Sequence, residues 1–297
     1  MAKPRSTTEL WTDWLSDLGL RGLIGLALAL PYHWRVPLMG WLMAHIIGPL
    51  AGYRRRAMAH LAYIYPKMPR PARRRLARGV LDNAGRTIIE NYSGAAFARQ
   101  LAGAQITGTG LPALAEAKAT GRPVIFVTAH FGNYEAPRHV LLALGYRIGG
   151  LYRPMSNPYF NSHYVRTMEA VSGPVFDKSP RGTMGFARFL KKGGMATILF
   201  DIYYSGGPAI SFLGQPAPTA PSAAEFALRF NALLIPYFGI RAKDGLNFQI
   251  ELGAPIPHGD PVVMTQTMTT LLEHQIAARP ELWFWVHNRW KPERQIT

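Results

Sequence analysis

Val124-Ile125-Phe126-Val127-Thr128-Ala129-His130-Phe131-Gly132-Asn133-Tyr134-Glu135 reads as a buried strand running into a turn that carries a histidine and a carboxylate with four residues between them. The apolar, β-branched run has the length of a strand, and Glu135 to Leu144, with Val140, Leu141, Leu142 and Leu144, predicts a helix. His130 is therefore expected at a strand-to-helix junction. In α/β folds such junctions open at the carboxyl ends of the strands, where ligands bind and the N–H groups of a helix start face negative charge. On one continuous helix, residues five apart diverge by about 140°. Gly132 lets the chain bend between them, so the expectation is that Glu135 returns to the imidazole.

A neutral imidazole held by a carboxylate takes a proton from a hydroxyl, as in serine hydrolases with an enzyme-borne nucleophile. No such nucleophile is evident here: the chain has no cysteine and no G-x-S-x-G elbow, which leaves a substrate hydroxyl as the attacking group. The spacing alone is equally met by a hydrogen-bonded histidine at a turn.

The surrounding residues add to that reading. His130-Phe-Gly-Asn-Tyr-Glu135 after a hydrophobic strand resembles the H-x4-D/E acyltransferase motif, in the form found in the bacterial lipid A late acyltransferases (the lauroyl/myristoyl acyltransferase family). Four further blocks are similar and fall in the family's order over roughly residues 50 to 292. They are Asp82-Asn-Ala-Gly-Arg-Thr-Ile-Ile-Glu90, Leu151-Tyr-Arg-Pro154 with Asn157-Pro158, Lys191-Lys-Gly-Gly194 through Phe200-Asp201, and Arg279-Pro-Glu-Leu-Trp-Phe-Trp-Val-His-Asn-Arg-Trp-Lys291.

The resemblance implies transfer of a fatty acyl chain from a thioester carrier, acyl carrier protein or acyl-CoA, to a hydroxyl of a membrane lipid. It makes His130 the base and Glu135 its orienting acid. The oxyanion then falls to N–H groups of the 131–134 turn and to an arginine, Arg153 or Arg166, with Asn133 and Asp201 as further candidates for the substrate side. Arg166 stands two positions before Met168, where the family's later arginine falls. At Asp201-Ile-Tyr203 many members carry two acids spaced by one residue, and here only the first is present. A lipid A precursor is the expected acceptor, with a glycolipid such as an acylated phosphatidylinositol mannoside as the alternative. An esterase or thioesterase would use the same pair to activate water. No cofactor or metal is implied: His130, Glu135 and His139 lack the H-E-x-x-H spacing. Gly108-Thr-Gly110-Leu-Pro-Ala113 mimics a dinucleotide fingerprint without the acidic residue about 20 positions on.

Thirty-three basic residues against seventeen acidic leave a net charge of +16. Such a field attracts nucleic acid, anionic lipid or an acidic carrier protein. The chain has no zinc-finger, P-loop or basic-zipper pattern, and its arginines cluster beside apolar segments, which favours lipid over nucleic acid. Trp11, Trp14, Leu15 and Leu18 have helical spacing, Leu23 to Leu30 is almost entirely apolar, and Val36 to Tyr53 carries no Asp, Glu, Lys or Arg. Pro31, Pro37 and Pro49 interrupt these runs, so a helical hook lying in the membrane interface is expected, with one tilted span as the alternative. Arg54-Arg55-Arg56 suits the cytoplasmic face of a bacterial inner membrane.

Residues 1–50 thus form an expected membrane-associating segment and 51–297 the acyltransferase domain. His287 among Trp283, Trp285 and Trp290 reads as packing or membrane-edge structure. From Pro69 onward helices and strands alternate, with strands expected near 105–107, 124–128, 147–152, 195–200, 209–213, 233–241 and 247–252. The expected fold is α/β, a single sandwich with a mixed central sheet like that of glycerophosphate acyltransferases, preceded by hydrophobic amino-terminal helices.

Overall fold

The computed structural model describes residues 6–155, 157–171 and 173–291. The ends of both expected segments, residues 1–5 and 292–297, lie outside it. Nine strands are assigned among the described residues: β1 (Gln105–Thr107), β2 (Val124–Thr128), β3 (Ile148–Tyr152), β4 (Val175–Asp177), β5 (Met195–Leu199), β6 (Ala209–Phe212), β7 (Gln215–Pro218), β8 (Leu233–Arg241) and β9 (Phe248–Leu252). Seven form one sheet in the order β1-β9-β8-β2-β5-β3-β4. β8, β2, β5, β3 and β4 run parallel, while β9 is antiparallel to β8 and pairs in parallel with β1, so the sheet is mixed.

β2 sits in the middle, and every one of its residues is buried. A parallel strand covered on both faces needs apolar side chains at successive positions, which explains the unbroken run Val-Ile-Phe-Val. Ile125 and Val127 pack on one side with Leu81, Phe186, Leu234, Leu272 and Trp283. Val124 and Phe126 pack on the other with Leu114, Leu141, Ile235 and Tyr237. The two remaining strands form a hairpin, β6-β7, turning through Leu213 and Gly214 at φ 51° and 76°. Positive φ at both turn residues matches the right-handed twist of the flanking strands.

The amino-terminal region is helical over Thr7–Leu28 and again from Tyr32, where Tyr32–Leu42 continues through a π turn, Met43–Ile47, into Gly48–Leu50. Val36 and Met39 are buried with Ile89, and Met43 and Ala44 join the main core. Packing thus continues across residue 50. Among the described residues no single helix is long and apolar enough to cross a membrane; Tyr32–Leu50 and Tyr53–Ile64 qualify only as a pair bent by 87°.

Candidate active site

Thr128 of β2 lies opposite Leu199 of β5, so the residues two places beyond each strand end, His130 and Asp201, arrive side by side. The imidazole Nδ1 meets Asp201 Oδ1 at 2.8 Å, and the backbone N–H of His130 donates to Asp201 Oδ2 at 3.0 Å. Trp283 Nε1 donates to the same Oδ2 at 2.9 Å. The His130 side chain keeps 27 % of its surface exposed, whereas that of Asp201 is fully buried. Burial by itself raises a carboxyl pKa. Here the charge and hydrogen bond of His130 and the hydrogen bond from the Trp283 N–H outweigh it and hold Asp201 below the ordinary carboxylate range. An ionised Asp201 fixes the Nδ1–H tautomer, which leaves Nε2 as the basic nitrogen.

Glu135 does not return to the imidazole. Gly132 does bend the chain, at φ 55°, but Asn133 Oδ1 accepts the Glu135 N–H at 2.9 Å and a helix, Ala136–Ala143, starts directly. That places the Glu135 carboxylate one turn before Arg138, whose Nη1 it binds at 3.1 Å. Arg138 is buried and also donates to the carbonyls of Ile148 and Met168. The orienting partner of His130 is therefore Asp201, and Glu135 contributes a neutralised pair to the neighbouring wall.

The turn is clamped from behind by Arg70–Asn91, the helix that carries the Asp82–Glu90 block. Asn83 Nδ2 and Thr87 Oγ1 donate to the Gly132 carbonyl at 3.1 and 2.9 Å. Asn133 Nδ2 donates to Glu90 Oε2 at 2.9 Å, and Arg241 ties Glu90, Asn83 and Thr87 together. Asn133 is thus a fully buried strut of the turn, away from the cavity. A Cβ at Gly132 would stand 1.9 Å from the Gly239 carbonyl oxygen, so the turn admits only glycine. The same packing uses up its donors: the N–H groups of Phe131, Gly132 and Asn133 go to the carbonyls of Ala129, Leu282 and Gly239. Of the expected oxyanion donors at 131–134, those of residues 131–133 are occupied.

His130 opens onto a cavity of about 600 Å³. Val80, Ala84 and Ile88 of the Arg70–Asn91 helix, with Leu151, Met168, Leu199 and Phe284, give it apolar walls, and Glu135, Arg138, Arg153, Lys178 and Lys291 give it charge. Arg153 lines it; Arg166 does not, being exposed with its Nε donating back to the Ser162 carbonyl at 3.2 Å. The strap 279–291 closes one side. Phe131 bridges to Trp283, the Phe284 N–H donates to the His130 carbonyl at 2.9 Å, and the His287 ring lies 4.3 Å from that of His130. Burial first, and then the neighbouring His130, push His287 down to about 3, so it is neutral. From sequence His287 reads as packing or membrane-edge structure, and Trp283 is not singled out. Their signal was the aromatic density of 283–290, which does not reveal the strand ends against which it folds.

Residues 2–292 match the family described as bacterial lipid A biosynthesis acyltransferase. A lipid A biosynthesis acyltransferase of Haemophilus influenzae is 24% identical over 299 residues, covering 95% of this chain and 91% of the relative. A second from the same organism is 22% identical over 281 residues, with 94% and 87% covered. A lipid A biosynthesis lauroyltransferase of Escherichia coli K12 is 24% identical over 298 residues, with 94% and 92% covered.

Proposed function

Since the chain belongs to the bacterial lipid A biosynthesis acyltransferase family and is an acyltransferase, we propose that it moves an acyl chain from a thioester to a hydroxyl of a lipid A precursor, with His130 as base. The observation that carries this reading is the His130–Asp201 pair at 2.8 Å, exposed on one side to an apolar-walled cavity and buried on the other.

His130 Nε2 takes the proton of the acceptor hydroxyl, whose oxygen attacks the thioester carbonyl. The new C–O bond forms, the C–S bond breaks, and the imidazolium returns its proton to the departing sulfur. Asp201 stabilises the imidazolium between these steps. The cavity surrounds the developing oxyanion with a net positive field, Glu135 being matched by Arg138.

Acyl carrier protein, an acidic donor, suits the +16 charge. The exposed Trp11, Trp14, Leu15 and Leu18 of the first helix, with Trp34, Trp41 and Leu50, support association with the inner membrane, and Arg54–Arg56 favours its cytoplasmic, anionic face. The decisive assay incubates the purified protein with acyl-acyl carrier protein and a lipid A precursor and follows the lipid by mass spectrometry. A product heavier by one acyl group is expected. Release of free fatty acid without acylated lipid overturns the transferase reading.

A further inference from the structure

Tyr152 of β3 and Asp177 of β4 form the last registered pair of these parallel strands. The next residue on each is a cation, Arg153 and Lys178, so two like charges stand beside each other at the carboxyl edge of the sheet, where both line the cavity and both are exposed. Like charges facing one another across adjacent strands destabilise a sheet. No described residue offsets them by a hydrogen bond or an ion pair. Asp177 next to them accepts the Ser179 N–H at 2.8 Å, and Glu135 is engaged by Arg138. A third cation, Lys291, reaches the cavity from the strap with its Nζ 4.3 Å from the centre of the Tyr203 ring.

We infer that Arg153, Lys178 and Lys291 form a phosphate-binding subsite of the acyl-transfer cavity. A phosphate presents several acceptor oxygens to a guanidinium fork and two ammonium groups at once, and it offsets a repulsion that the free protein otherwise carries. The subsite rests on the acyl-transfer reading and adds to it a substrate requirement. Two substrate parts supply this chemistry: a sugar phosphate on the acceptor glycolipid, or the phosphodiester of a phosphopantetheine thioester donor.

Four substrates separate them: a phosphorylated glycolipid acceptor and its dephosphorylated counterpart, and an acyl-phosphopantetheine donor and the corresponding acyl-N-acetylcysteamine, which lacks phosphate. For Arg153→Gln, Lys178→Gln and Lys291→Gln the full-length protein is expected to show a rise in KM on the phosphate-bearing member of one pair that exceeds the rise on its phosphate-free member by roughly tenfold, the loss of one charge-assisted hydrogen bond. Selectivity within the acceptor pair assigns the glycolipid phosphate; selectivity within the donor pair assigns the carrier. Equal effects within both pairs, or none, overturn the subsite while leaving turnover to stand. If the wild-type protein shows no turnover at all, the acyl-transfer reading falls. In that event tryptophan-fluorescence titration with the phosphorylated glycolipid still decides the subsite: weaker binding by the variants supports it and unchanged binding refutes it.

Discussion

With its Nδ1 hydrogen committed to an ionised Asp201, His130 keeps one nitrogen for the substrate, and this makes the roles of the nearby acids separable by mutation. His130→Ala should lower kcat by about 10²–10⁴-fold, the usual worth of a general base, with little change in melting temperature because the side chain is partly exposed. Asp201→Asn should approach the same loss, since an amide neither stabilises the imidazolium nor enforces the tautomer. Glu135→Gln should cost less, acting only through Arg138; a Glu135 effect equal to that of Asp201 would restore Glu135 as the orienting acid. His287 supplies a stability test. Its folded-state value of about 3 lies below the ordinary 6.5, so the unfolded chain binds more protons between them. The contribution is full above about pH 6.5 and is lost progressively as pH falls towards 3. Urea midpoints measured from pH 7 to pH 4 should therefore fall less steeply for His287→Phe than for the wild-type chain. His130 was legible because a local pattern, apolar run then glycine turn, announces it. Asp201 was legible as the end of a strand, but its pairing was not, because contact across 71 residues depends on β2 and β5 being neighbours, which no local pattern encodes.

Among the elements, the helix Arg70–Asn91 connects the fold to the chemistry by two of its faces. Val80 is buried and lines the cavity together with Ala84 and Ile88, of which Ile88 is partly exposed. The helix's polar positions Asn83, Thr87 and Glu90 are the ones that hold the turn after His130. Arg241 and Glu90 are both buried, and removing the acid leaves a guanidinium uncompensated in the interior. Glu90→Gln should accordingly lower the free energy of unfolding by about 3–5 kcal/mol in denaturant titration, and it should lower activity even below the melting transition. A loss under about 1 kcal/mol would mean that the turn stands without this network. Strands with strong apolar runs, such as β2 and β8, matched their expected limits because burial on both faces dictates their composition. β4 and β7 were not anticipated: β4 is a three-residue edge strand, and β7 contains Pro216 and Pro218, which a hairpin edge tolerates and a central strand does not.

At the scale of the whole molecule, charge and exposed apolar surface make distinct and testable demands. Leu26 and Leu50 are 75% and 84% exposed, and the outward Trp11, Trp14, Leu15 and Leu18 share the first helix, whereas Val36, Met39 and Met43 are buried. Deleting residues 1–50 would thus remove core, and substitution is the cleaner probe. Trp11→Glu, Trp14→Glu, Leu15→Glu and Leu18→Glu together should abolish flotation with anionic vesicles while leaving the melting temperature near that of wild type. High salt should not detach the unaltered chain, because it screens charge and leaves apolar burial in place. Salt should instead act on the donor. An acidic carrier protein approaching a surface of net charge +16 associates faster than a neutral partner would, and this steering decays as ionic strength shortens the Debye length from about 30 Å at 0.01 M to about 8 Å at 0.15 M. Acyl-CoA, with a smaller contact area, benefits less. The ratio of kcat/KM for acyl-acyl carrier protein over acyl-CoA should therefore exceed one at low salt and shrink as salt is added. Reversing Arg73, Arg74, Arg75 and Arg78 to glutamate probes one candidate surface and should flatten the salt dependence if the carrier docks there. A ratio that stays constant at every ionic strength would remove the carrier-protein assignment and leave the chemistry of His130 and Asp201 as it stands.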